Sequence, residues 1–275
     1  MAPNETFRAL VVASLTLSSA VACDGDSSAN SEPAGYLRSD SPELETAWPS
    51  TLPIYHALHQ DEQAVVRALG LDASTRALLD ENVNRLSFAT ATGNVQVFYD
   101  EGAAEPFHTL KYLRTAPFQA QTWSGAAELR SKWEAGARVA AEYLQQLTKL
   151  TPVVIVGRAS DADYAEALTD GYQFMLAVDH RLVWVEDLEV RVDDQGISEF
   201  ATDELVFDAT RSGSADCLTQ AEVQALLAGS EYQTPDPSAP PPVYYGFDTD
   251  SSELAPFYLA DGAESGPLAI WLRRP

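Results

Sequence analysis

The chain has 275 residues and a formal net charge of −24, from 41 acidic and 17 basic residues. Phosphate backbones repel such a surface, so direct nucleic-acid binding is disfavoured, and basic proteins, cationic small molecules or metal ions remain as charged partners. The only cysteines are Cys23 and Cys217; if Cys23 is acylated, Cys217 has no partner for a disulfide, and an apolar core must hold the fold. The only lysines are Lys111, Lys132 and Lys149, so adaptation to salt is a competing reading of the acidity.

Residues 1–22 carry Arg8 and then an apolar run from Ala9 that closes on Ala20-Val21-Ala22-Cys23. A helix spanning the roughly 30 Å of bilayer hydrocarbon needs a longer run, whereas this length suits a signal-peptide core. The segment resembles a bacterial lipoprotein signal, which implies acylation of Cys23 and a lipid-anchored place in the cell envelope, periplasmic or on the outer surface. An ordinary secretory signal with Cys23 incidental is the competing reading. Residues 23–42 read as a disordered tether, because Asp24 to Gly35 offers no apolar side chain larger than alanine except Pro33.

An α+β domain is expected over 43–232. Ser41-Pro42-Glu43 reads as the start of a short helix, Pro53 to Leu69 as a second, and the spacing of Leu78, Leu79, Val83 and Leu86 as a third. Val95, Val97 and Tyr99 alternate as a strand, with 107–113 as its partner. Ser124 is expected to cap a long helix to about Leu150, with Leu129, Trp133, Val139, Tyr143, Leu144 and Leu147 on its inner face. Strands follow at 153–157, 172–178, 182–192 and 205–208. Thr219-Gln220-Ala221-Glu222 is a capping box opening a helix that ends before Gly229. A Pro-rich linker covers 233–242, and Val243 to Pro275 are expected to return to the main body as a C-terminal β segment. The fold class is α+β, a mainly antiparallel sheet packed with helices in an α/β/α sandwich-like arrangement.

Residues 78–170 resemble the nuclease A inhibitor-like family, small acidic proteins that block non-specific nucleases. The resemblance runs through Leu86-Ser87-Phe88, Gly93-Asn94-Val95-Gln96-Val97-Phe98, Val153-Val154-Ile155-Val156-Gly157-Arg158, and Asp161 through Thr169. It implies a basic protein partner and contacts at Thr90, Thr92 and Thr169. The acidic loop of the family is replaced by Ala89-Thr90-Ala91-Thr92. Trp123, just before the helix cap, is the aromatic expected to anchor a partner.

Chemical motifs are sparse. His56 and His59 are three apart, but zinc needs three or four ligands, and no H-E-x-x-H is present. Asp248 to Glu253 and Asp161 to Asp163 lack the glycine and glutamate of a helix–loop–helix calcium site. Neither a phosphate loop, a dinucleotide fingerprint nor a G-x-S-x-G elbow occurs, and no cofactor, metal or catalytic residue is expected. The reading is an exported, lipid-anchored acidic binding protein without catalytic activity. Its alternatives are a metal-assisted hydrolase using His56, His59, His108 or His180, and a structural envelope lipoprotein. In a bacterium fed labelled palmitate, Cys23→Ser in the full chain is expected to abolish labelling and release the protein from the membrane fraction. Undiminished labelling would assign the lipid elsewhere.

Overall fold

The computed structural model describes residues 35–58, 78–80, 85–89, 93–98, 109–114, 126–156, 161–193, 196–203, 206–236, 238, 242–248, 251–263 and 266–274. Its first half holds β1 (Leu37–Arg38), β2 (Thr51–Leu58), β3 (Leu78–Asp80), β4 (Arg85–Ala89), β5 (Gly93–Phe98), β6 (Thr109–Arg114) and α1 (Ala126–Thr148). Next come β7 (Thr151–Val154), α2 (Asp161–Asp170), β8 (Tyr172–Val178), β9 (Arg181–Val183), β10 (Glu186–Asp193), β11 (Gly196–Asp203) and β12 (Phe207–Asp216). The last elements are α3 (Gln220–Leu227), β13 (Tyr244–Asp248), β14 (Glu253–Ala260) and β15 (Leu268–Trp271).

The strands form one curled, mixed sheet with β8 as its hub. On one edge β8 pairs with β7, from Thr151↔Ala177 to Val154↔Phe174. On the other it pairs first with β9 (Leu176↔Val183) and then with β10 (Tyr172↔Val190). β9 and β10 are thus two halves of one returning strand, interrupted at Trp184-Val185. There the Trp184 amide leaves β8 and donates to the Tyr245 carbonyl at 2.8 Å, and Asp187 takes a φ of 49°. Beyond β9 the sheet continues as β13-β14-β2-β12, and beyond β10 as β11-β6-β5-β4-β3. The antiparallel expectation holds for most pairs. It fails at β1–β7 and β9–β13, which are parallel and so cannot be joined by a tight hairpin.

α1 lies against β7, β10, β11 and β12. Its buried face is Trp133, Ala137, Ala140, Ala141, Leu144 and Leu147, a helical stripe whose alanines let the backbone approach the sheet. Val139, expected on that face, is 39% exposed. The helix stops where Lys149 turns to a φ of 62°, and Pro152 follows within β7. α2 packs on α1, β8 and β10. Trp133 meets Tyr164 of α2 at 5.3 Å and Tyr172 of β8 at 5.9 Å between ring centroids.

Three expected helices are not seen among the described residues. Thr51–Leu58 is β2, bonded between β12 and β14, while residues 59–69 lie outside the described set. Leu78 and Leu79 form β3 and pair with Ser87 and Leu86 of β4, so the leucine spacing arises from a hairpin instead of a helical face. Ser41 does not open a helix either: its hydroxyl accepts from the Arg38 amide at 3.1 Å and its carbonyl from Leu44 at 3.2 Å. Such local bonds compete with helix initiation at serine. The β5–β6 pair, α1, β8 and the capped α3 form where the sequence places them, although Ser124 lies outside the described residues.

The tightest contact at the hub is between Gly136 of α1 and Tyr172. A Cβ at residue 136 would collide with the tyrosine hydroxyl and ring; Tyr172 is buried and Gly136 half-buried. Gly136→Ala is therefore expected to destabilise the chain by about 1–3 kcal/mol, the usual cost of overpacking. An unchanged urea midpoint would contradict this packing.

Candidate functional site

Most of the residues singled out from the sequence lie outside the described set: Cys23, Thr90, Thr92, Trp123, His59 and His108. Thr169 lies in α2. His56 is exposed on β2, in register with Glu253. His180 sits in the β8–β9 turn. Among the described residues, no three of His, Cys, Asp and Glu gather as a metal-holding group. Cys217 is buried, and burial pushes its thiol pKa up, which disfavours the thiolate.

The β8–β9 turn holds two left-handed residues, Asp179 at a φ of 45° and His180 at 63°. Two-residue hairpins favour this conformation, but side chains other than Gly and Asn adopt it at a cost. The turn is fastened from both sides. Tyr55 donates its hydroxyl hydrogen bond to the Asp179 carboxylate, and the Glu45 amide donates to the His180 carbonyl at 2.9 Å. The adjacent Arg181 is buried, with Nη2 2.5 Å from Glu45 Oε2. These contacts bind residues 44–55 to the hub and give the turn a structural task.

A more open arrangement occupies the outer face of β13–β14–β15. Alternation along β13 and β14 sends Tyr245, Leu254 and Tyr258 into the core. The register aligns Tyr244 with Phe257, Phe257 with Trp271, Gly246 with Ala255 and Asp248 with Glu253. Phe257 contacts Tyr244 at 5.9 Å and Trp271 at 5.5 Å, and Trp184 from the hub stands edge-on to Tyr244 at 5.4 Å. A Cβ at Gly246 would lie 2.8 Å from the Phe257 ring and 3.2 Å from Trp271, so glycine makes room for the rings across β13. The row ends in Trp271, 41% exposed, on the same short strand as Leu268, itself 38% exposed.

Beside Trp271 is an open depression of about 340 Å³, lined by Asp248, Ala255, Trp271, Arg273 and Arg274. Arg273 Nη1 is 2.7 Å from Glu253 Oε2, and Arg274 Nη2 is 2.7 Å from Glu222 Oε2. Asp248 accepts a hydrogen bond from the Ser251 hydroxyl at 2.7 Å. An aromatic plate, a carboxylate and two guanidiniums thus surround a cleft roomy enough for a small ring. The sequence reading overlooked Trp271 in favour of Trp123. The missed signal is its position on a four-residue terminal strand beside Arg273-Arg274, too short to cover both its faces.

The chain matches no protein-family model and no curated protein.

Glu222 ties α3 to this rim. The Thr219 backbone amide, the Thr219 hydroxyl and then Arg274 hold its carboxyl down at about 2, against an ordinary 4.5. A depressed folded-state pKa contributes stability that is present above 4.5 and lost as pH falls through about 2. Wild type is therefore expected to lose more stability than Glu222→Gln between pH 4.5 and 2. Parallel stability–pH curves would contradict the capping and rim bonds.

Proposed function

We propose that this protein acts by binding, as an exported acidic protein anchored through acylated Cys23, and that the outer face of β13–β15 is its binding surface. The carrying observation is the aromatic row ending in half-exposed Trp271 beside the depression. Large aromatic side chains left at a surface with charged groups around them mark interaction sites, because they offer contact area at little entropic cost. The second reading is capture of a basic protein, in the manner of a nuclease inhibitor. The net charge of −24 favours it, as does α2, which carries Asp161, Asp163, Glu166 and Asp170 and no basic residue. Thr90, Thr92, Thr169 and Trp123 would then be contact candidates.

The first reading is tested by co-sedimenting the full chain with envelope material from the cell that makes it. Trp271→Ala is expected to retain its melting temperature within a few degrees and to lose about tenfold in retention, roughly 1.4 kcal/mol. Equal retention of the two would contradict the surface assignment. Stoichiometric inhibition of a metal-dependent non-specific endonuclease that weakens with salt would instead support the second reading.

A further inference from the structure

We infer that the depression beside Trp271 takes one unit of a neutral, β-linked hexopyranose chain. The inference rests on the outer-face reading above and names the chemical class of its ligand.

Charge first narrows the ligand. The lining groups and their ion-pair partners comprise Asp248, Glu253 and Glu222 against Arg273 and Arg274. Three carboxylates against two guanidiniums select neither a strong anion nor a strong cation. An anionic ligand would have to take Arg273 from Glu253 and Arg274 from Glu222, inside the field of a chain with net charge −24. A cationic ligand would meet two guanidiniums at the rim. The site instead offers a neutral ligand fixed donors and acceptors at once, because each guanidinium is held by its glutamate and Asp248 by Ser251.

Shape narrows it further. Trp271 offers part of its ring to solvent, backed by Phe257 at 5.5 Å, and the small side chain of Ala255 lines the depression beside it. The matching ligand has one flat apolar face to lie on an indole and an edge crowded with hydroxyls. A pyranose ring with equatorial substituents has that form, since its axial C–H bonds make the face and its hydroxyls the edge. The depression is open to solvent, which suits an internal unit of a chain as well as a single ring.

The probes are the β-1,4-linked hexasaccharides of glucose and of N-acetylglucosamine, titrated calorimetrically into the full chain at low and high salt. At least one is expected to bind with a dissociation constant below about 1 mM, a typical affinity for a shallow site. That affinity is expected to change little with salt, because no net charge is neutralised. Trp271→Ala is expected to weaken it at least about tenfold, and Trp271→Phe, which keeps an aromatic plate, to restore most of it. Binding that Trp271→Ala leaves intact overturns the inference, as does the absence of binding by either sugar to wild type at about 10 mM. A photo-crosslinker at position 268 of the full chain, on the same strand as Trp271, applied to envelope material, separates the two failures. Crosslinking to protein without sugar binding overturns the saccharide and leaves the binding face standing. Neither crosslink nor sugar binding overturns both.

Discussion

β8 is hydrogen-bonded along both of its edges, and the rest of the molecule hangs from it. β7 occupies one edge and the broken strand β9–β10 the other, and each half of that broken strand carries a separate arm of the sheet. The two ends of β8 are fixed differently. At Tyr172 the fixing is steric: the ring fills the space that Gly136 leaves in α1 and stacks beside Trp133. At Asp179-His180 it is polar: Tyr55 and Glu45 hold a turn whose residues are locally unfavourable. The first device lies in the core, where small misfits cost most, and the second fastens an exposed turn to the buried Tyr55.

The break in the returning strand also builds the candidate site. At Trp184 the backbone leaves β8 and bonds to β13, and the Trp184 ring turns to the outer face against Tyr244 and Phe257. The aromatic row is therefore continuous from the hub to Trp271. Its inner members are covered by one another, and among the described residues β15 pairs with no strand but β14. The exposed ring follows from where the sheet ends, and the ion pairs of Arg273 and Arg274 fix the polar rim around it.

Local signals in the sequence were legible where local chemistry decides the structure. The Thr219–Glu222 capping box forms, α1 follows its apolar period, and β8 is the apolar run 172–178. They misled where long-range pairing decides. Ile54, Tyr55 and Ala57 are all buried, because β2 lies between β12 and β14, and no alternation marks them as a strand. Leu78, Leu79 and Leu86 fall at helical spacing but belong to two strands paired antiparallel, Leu79 opposite Leu86. The site was less legible still. Tyr244, Phe257 and Trp271 come from three strands and Trp184 from the hub, so no window of sequence contains the row. Its charged rim joins Asp248, Glu253 and Glu222 to Arg273 and Arg274 across the fold.

A surface this acidic draws positive partners from a distance, while the face around Trp271 is close to charge balance. The two surfaces separate cleanly in one measurement: amide hydrogen exchange along the full chain, with and without bound envelope material. The account predicts protection concentrated in Tyr244–Asp248, Glu253–Ala260 and Leu268–Trp271, with α2 unchanged. Protection of α2 with none on those three strands would contradict it and make the acidic helix the seat of binding.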